Sequence, residues 1–535
     1  MPSQTVLLPH SERRALPGAM ATGLADPHAE IRVTLKLRRK QALSVAEAAS
    51  MAPMTRDALA SAYGAAEQDI AAVVSTFEAL GLKAVSTSQA ARTVILSGPI
   101  AAMQAAFKVK LFDYAHPEGG YRGRVGALHL PAAVADMVVG VFGLDNRRVA
   151  RMRRRRRTRD MPGPNGSASA AWRLPSQLAA RYNFPPGDGD GQTIALLEFG
   201  GGYFPDDLAR FCGMAGVAAA PKVVAVSVDG AATDARDGQE REVMLDIEVA
   251  AGVCPKAAIA VYFASWTEAG WLAALDAALQ DHANDPGVIS VSWGAAEDTD
   301  IWTAQAMAQM NESLTDAVAL HVTVCVATGD DGSSDGVQDG RAHVDFPSSS
   351  PMVLAVGGTT IPAAGPDVAW KQGDGLTADQ GGSTGGGVSA VFSRPSWQGG
   401  LHIASVNPGA IVGRCTPDIA ANADWAASPY LLVVDGQAQP SGGTSAACPL
   451  IAALITLINA QRVRGGKPRI GYLTPLLYQD PDGGGGAPLG ARVCTDVTSG
   501  GNATAAAGGY SAGPGYDAVC GWGTPDGAVL AAALP

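Results

Sequence analysis

The stretch SGGTSAACP, residues 441–449, sets Ser445 behind two glycines and a threonine and ahead of the apolar run PLIAALITLINAQR. A serine hydroxyl is almost fully protonated at physiological pH, so it attacks nothing until a neighbouring base takes its proton. The apolar run predicts a helix, with Pro449 tolerable in its first turn. Ser445 would then hold its N–H at the positive end of that helix, where a developing oxyanion is stabilised. A plain serine cap after a glycine turn would look the same. The chain holds eight histidines, His10, His28, His116, His129, His282, His321, His343 and His402, and the local sequence marks none of them as the base. Carboxylates are the other source. In GQEREVMLDIEVAAG, Glu242 and Asp246 stand four apart and on a helix share one face. Two carboxyls held close share a proton and titrate jointly, which can lift one of them above the usual glutamate value of about 4.3. The competing reading is a solvated acidic face that also includes Glu248. A third acid, Asp330, follows the apolar strand HVTVCVATG and opens DDGSSDG. A carboxyl kept protonated there donates to an oxyanion. An Asp-Gly loop capping a strand is the alternative, and Asp331, Asp335 and Asp339 crowd the loop enough for a cation site.

Such residues act only if rigid elements aim them. From about residue 175, short apolar runs recur at TIALLEFG (193–200), KVVAVSV (222–228), AIAVYF (258–263), VISVSWG (288–294), HVTVCVATG (321–329) and MVLAVGG (352–358). Helix-like stretches, REVMLDIEVAAG and AGWLAALDAALQDH among them, lie between. Continuous apolar strands alternating with helices predict a parallel sheet covered on both faces, an α/β fold. Ligands of such sheets sit beyond the carboxyl ends of the strands, where Glu198, Trp293 and Asp330 fall. The first part reads differently. IRVTLKLRR (31–39) alternates like a half-buried strand, Ile70, Val73, Val74, Phe77 and Leu80 recur at helical spacing, RTVILSG (92–98) is strand-like and AAMQAAF (101–107) helical. This predicts a smaller α+β unit ending near Asp145. Nine arginines between 147 and 159, followed by MPGPNGSASA, predict an exposed linker open to proteolysis. Nucleic-acid binding is the sharper reading of an arginine run, but no interleaved aromatics accompany it.

With 535 residues, two domains are expected. No apolar run was read as a membrane span, so no membrane partner is expected, and MPSQTVLLPHSERRALPGAM lacks the apolar centre of a secretory signal. Charge is split unevenly: residues 1–160 hold 23 Lys and Arg against 13 Asp and Glu, and residues 161–535 hold 16 against 37. A chain with few cations gains little net charge when its carboxylates protonate, which suits an acidic environment. The seven cysteines show no CxxC spacing and are expected as buried hydrophobes; Cys494 and Cys520 flank one glycine-rich segment and are the pair that could bridge.

The motifs GGTSAACP, EVMLDIEVA, ATGDDGSSDG, IALLEFGGGY and ISVSWG, in their order along 175–535, resemble those of the sedolisins, the serine-carboxyl peptidases. Asp331 departs from the family pattern, where Ser is common at that position. The resemblance implies a subtilisin-like parallel sheet flanked by helices, preceded by a ferredoxin-like α+β prosegment. Its boundaries would be 1–146 for the prosegment, 147–172 for the Arg-rich linker with a processing site near 157–172, and 173–535 for the catalytic domain. It further implies an acid-active endopeptidase made as a precursor, with Ser445 as nucleophile, Glu242 as general base, Asp246 as its partner and Asp330 as oxyanion acid. Glu198 and Trp293 would extend the hydrogen-bond network, and Asp345 in HVDFP would line the specificity pocket. A single structural calcium would be held at the C-terminal loop by Asp496, Val497, Gly513, Gly515 and Asp517, since calcium takes six to eight oxygens from carboxylates and carbonyls. The expected partners are protein or peptide substrates and the chain's own prosegment as inhibitor, with no nucleic acid, acting as a monomer outside the cell. Three rivals stand beside this reading: a histidine-dependent subtilase, an inactive binding or inhibitory protein that keeps the fold, and a tripeptidyl-peptidase.

Overall fold

The computed structural model describes residues 4–149, the backbone of Arg151 and Met152, 172–373 and 382–535. Its contacts divide into two compact units. One gathers Met1–Ala150 with Ala264–His282 and Thr299–Leu320, and the other holds Arg151–Phe263, Ala283–Asp298 and His321–Pro535.

In the first unit the strand Glu30–Leu37 buries Ile31, Val33 and Leu35 at a spacing of two. It joins an antiparallel sheet in the spatial order Lys83–Ser88, Thr93–Pro99, Glu30–Leu37, Val138–Phe142. The helices Glu67–Glu78 and Ile100–Phe107 supply Val73, Phe77, Met103 and Phe107 to its core. Strand, helix, two strands, helix and strand, ordered second, third, first, fourth, make the ferredoxin-like arrangement. The alternation breaks at Lys36, which is 1% exposed and pairs with Asp276 at 2.5 Å on the helix Glu268–Gln280. Arg39 reaches Glu312 and Asp316 on the helix Ala304–Ala319, both at 2.7 Å. A buried cation is tolerated only with such partners. Two helices expected within 173–535 thus supply carboxylates to the first unit.

The second unit is built on a sheet ordered Val223–Ser227, Ala258–Ala264, Thr193–Phe199, Val288–Val291, Thr323–Ala327, Leu354–Thr360, extended by Ile419–Asn422 in parallel and Val368–Ala369 antiparallel. Every residue of Thr193–Phe199, Val288–Val291 and Thr323–Ala327 is buried, which is why these runs are continuously apolar. The helix Thr444–Arg464 is buried from Thr444 to Ala460. Contrary to the expectation that no run suits a membrane, this helix is long and apolar enough by composition, yet 83% of its apolar window is buried inside the protein. Its apolarity serves the core.

VISVSWG, read as one strand, divides at Ser292. Val288–Val291 stays in the parallel sheet, while Trp293–Ala296 pairs antiparallel with Arg151–Met152 on one side and Asp345–Phe346 on the other. Residues 153–171, most of the expected linker and its processing site, lie outside the described residues. All seven cysteines are free and six are buried, so Cys494 and Cys520 are not joined.

Candidate active site

Ser445 lies in the first turn of the helix Thr444–Arg464, 2% exposed, and its Oγ donates to the Ser292 carbonyl at 3.4 Å. The chain enters that helix through Gly443 at φ +98°, and a Cβ there would stand 2.4 Å from Asp330 Oδ2. Only glycine meets both conditions. Asp330 is buried against the helix start, its Oδ1 accepting from the Thr444 N–H and the Thr444 hydroxyl, each at 2.8 Å. The rest of the acidic loop disperses. Asp339 meets His343 at 3.0 Å, and His343 meets Asp298 at 2.6 Å; burial opposes its charge, but these carboxylates outweigh burial and raise it to about 9.

Glu242 and Asp246 sit on the helix Glu240–Val253, both buried. The alternative of a solvated acidic face does not hold, since Glu248 is also buried and accepts from the Val433 N–H at 2.8 Å. Glu198, at the end of the strand Thr193–Phe199, accepts from Trp293 Nε1 at 2.9 Å. Burial, then the charge of Glu242, holds Glu198 well above the usual carboxylate range. Burial, then the charges of Glu198 and Glu242, does the same to Asp246. Each of these carboxyls is disfavoured as an anion by the charge of the other members of the cluster, so they titrate jointly rather than one by one. Four of the expected residues, Glu242, Asp246, Glu198 and Trp293, therefore form one cluster.

Ser292 joins that cluster to the nucleophile. Its hydroxyl donates to Asp246 Oδ2 at 2.7 Å and lies 3.3 Å from the Ser445 carbonyl oxygen. Sequence reasoning missed Ser292 and Thr444, although each adjoins a residue it singled out. Pro449 is also placed differently from the expectation of a first-turn proline. It lies four residues beyond Ser445 inside the helix, so the N–H that would bond the Ser445 carbonyl does not exist.

Asp345 and the C-terminal loop lie outside this network. Asp345 is 1% exposed on the strand beside Trp293–Ala296, opposite Ala296. Next to Ala296 is Glu297, a buried carboxyl not singled out in the sequence, which accepts from Ser389 Oγ and the Ala390 N–H, both at 2.7 Å. Burial raises it to about 7. At the C-terminal loop, Asp496 accepts from the Gly515 N–H at 2.7 Å, and Asp517 from the N–H groups of Gly513, Val519 and Cys520 at 2.8–3.0 Å. Burial, with the Asp496 charge adding, pushes Asp517 up to about 6. Two carboxylates that repel one another within a wrapped glycine loop are a donor set suited to a divalent cation.

Residues 17–147 match the family described as the pro-kumamolisin activation domain, and residues 213–469 match the subtilase family. Kumamolisin from Bacillus sp. (strain MN-32) is 44% identical across 99% of this chain and 96% of its own length. Tripeptidyl-peptidase sed5 from Aspergillus fumigatus is 31% identical across 87% of this chain and 84% of its own. Among solved structures, Pseudomonas sedolisin, a serine-carboxyl proteinase complexed with two molecules of pseudo-iodotyrostatin, superposes with a TM-score of 0.56 at 26% identity, covering 68% of this chain and 98% of that one.

Proposed function

The chain belongs to the serine-carboxyl peptidase family, and from that premise we propose that it is the precursor of an acid-active endopeptidase that works through an acyl-enzyme on Ser445. The observation that carries the reading is the buried carboxyl cluster of Glu198, Asp246 and Glu242, joined by the Ser292 hydroxyl to the Ser445 backbone. Ser445 Oγ attacks the scissile carbonyl while Glu242 takes its proton. The resulting oxyanion lies against the Ser445 N–H and the Asp330 carboxyl, which donates from Oδ2. Collapse expels the amine, which receives its proton from Glu242, and leaves Ser445 acylated. Water then repeats the sequence, giving its proton to Glu242 as the ester forms its second tetrahedral species, and the acid product leaves. A proton on the Asp246–Glu198 pair cuts its charge from two to one, which lowers the repulsion that Glu242 meets when it ionises in acid. Asp345, buried beside the strand Trp293–Ala296, would favour cationic or polar side chains in the specificity pocket.

Residues Arg151–Met152 run antiparallel to Trp293–Gly294, the edge next to the nucleophile. A chain-internal segment along that edge supports an endopeptidase over a tripeptidyl-peptidase, and it supports the prosegment side of the chain as an intramolecular inhibitor. Asp496 and Asp517, with the backbone of Val497, Gly513 and Gly515, would hold one calcium ion, whose part is to neutralise the two carboxylates and brace the loop. The protein would act outside the cell as a monomer on protein or peptide substrates.

The decisive experiment incubates the purified precursor at about pH 4 beside Ser445→Ala and Glu242→Gln and sequences any new N-terminus, with activity on a peptide substrate also followed to about pH 8. Self-cleavage confined to the parent, and activity that collapses toward neutrality, is the expected result. Equal turnover at both ends of that range would refute the mechanism.

A further inference from the structure

Nothing in the reaction just described gives Ser292 a task, yet its side chain and backbone touch both halves of the site. It is 0% exposed and sits where the strand Val288–Val291 ends and Trp293–Ala296 begins, a break that turns its hydroxyl and its carbonyl toward the same helix start. The carbonyl accepts from Ser445 Oγ at 3.4 Å. The hydroxyl has one proton and two acceptors within reach, Asp246 Oδ2 at 2.7 Å and the Ser445 carbonyl at 3.3 Å. That carbonyl is available because Pro449, four residues on, has no N–H to close the helical bond. Without Ser292 a buried acceptor of the nucleophile's own backbone would lose the donor beside it.

We propose that Ser292 is a positioning residue whose hydroxyl alternates between the Asp246 carboxylate and the Ser445 carbonyl. When Asp246 is ionised, the hydroxyl donates to it. When Asp246 carries the cluster's proton, Asp246 donates to Ser292 Oγ and the serine proton turns to the Ser445 carbonyl, completing the first turn of the helix that carries the nucleophile. The protonation state of the carboxylate cluster is thereby transmitted to the backbone of Ser445 with no atom displaced beyond a hydroxyl rotation. The titratable groups facing Asp246 are Glu198, Glu242 and the Cys448 thiol, the last raised to about 12 chiefly by burial. The Ser292 bond favours the ionised form of Asp246 against all of these.

The proposal rests on Glu242 and Ser445 acting as base and nucleophile, and two variants of opposite sign test it. Ser292→Ala removes the donor, so kcat should fall roughly 10- to 100-fold with KM nearly unchanged, and the acid limb of the kcat–pH profile should move to lower pH, because Asp246 without that bond holds its proton more firmly and leaves Glu242 freer to ionise. Pro449→Ala supplies the missing N–H to the Ser445 carbonyl and confines the Ser292 hydroxyl to Asp246, which favours the Asp246 anion beside Glu242, so the acid limb should move to higher pH. Ser292→Thr, which keeps the hydroxyl, should restore the parent limb. An unshifted limb in both Ser292→Ala and Pro449→Ala, or equal kcat in Ser292→Ala and the parent, would overturn the assignment. If Ser445→Ala or Glu242→Gln retains activity, the reading of the site fails first; if both are inactive while Ser292→Ala is unaffected, only the role of Ser292 fails.

Discussion

Gly443 is the position where one added methyl group should do most harm. Its φ of +98° is strained for any side chain, and the new Cβ would come within 2.4 Å of Asp330 Oδ2. Asp330 cannot simply withdraw, because Thr444 holds its other oxygen with two bonds. Gly443→Ala should therefore misplace the oxyanion donor and lower kcat by about 100-fold or more, the usual effect of losing one such donor, while binding is largely retained. Steady-state kinetics on a peptide substrate check this, with equal kcat as the contrary result. Asp330→Asn separates charge from geometry. The amide oxygen accepts from Thr444 and the amide nitrogen donates at every pH, so the variant should retain activity and lose less of it as pH rises than the parent does. At this scale the candidate residues that the fold gathers, Glu242, Asp246, Glu198 and Trp293, were legible in the sequence, because they stand in short motifs at helical spacing or at strand ends. Ser292 and Thr444 were not, since a hydroxyl's partners depend on what the fold brings opposite it.

The hairpin Tyr430–Val434 and Gln437–Ser441 leads straight into the nucleophile helix, and the layer that carries the base holds it along its length. Glu248 accepts from the Val433 N–H, Asp207 from the N–H groups of Asp435 and Gly436, and Arg241 donates to Gln439 Oε1 and to the Pro440 carbonyl at 2.6 Å. Arg241 directly precedes Glu242, so its contact ties the first turn of the base helix to the strand that delivers Ser445. Hydrogen bonds from a charged donor contribute about 1.5–3 kcal/mol, and here they tie together the elements that carry the proposed base and nucleophile. Arg241→Ala should lower kcat roughly 10-fold with little change in melting temperature, and Gln439→Ala combined with it should cost little more than either alone. A fully additive pair would show that the two residues act separately. The six apolar runs of the second unit were legible as strands because burial on both faces keeps five of them nearly free of exposed positions, the edge strand Val223–Ser227 being the exception. This hairpin was not, since its register is set by side chains more than 180 residues away in the chain, as Glu248 is from Val433.

At the scale of the molecule, among the described residues of the second unit buried carboxyls outnumber buried cations, and this should invert the usual effect of acid on stability. Glu198, Asp246 and Glu248 are all held well above the usual range, chiefly by burial, and Glu297 is raised to about 7. A group whose folded pKa exceeds its unfolded value stabilises the fold fully below the unfolded value, and that contribution is lost as pH rises through the folded one. Glu297 alone should then cost about 3 kcal/mol between about pH 4.5 and pH 7, at 1.36 kcal/mol for each unit of pKa difference. Asp145, held below its usual range by Arg13 and Arg147 despite its burial, acts in the opposite sense and favours higher pH. Glu47, Asp188, Asp339 and Asp480 share that sense but lie exposed or partly exposed, where such shifts contribute little, whereas buried Asp316 and Asp517 join the raised group, and the excess of acidic residues in 161–535 adds self-repulsion as they ionise. The Ser445→Ala chain, which cannot process itself, should therefore melt at a higher temperature at about pH 5 than at about pH 8. Glu297→Gln stays neutral throughout, keeps the side-chain oxygen that accepts from Ser389 and Ala390, and should flatten that dependence. Calorimetry of the two proteins side by side decides the matter: a higher melting temperature at the alkaline end, or an identical slope in both, would mean that the buried carboxyls do not set the pH dependence of stability.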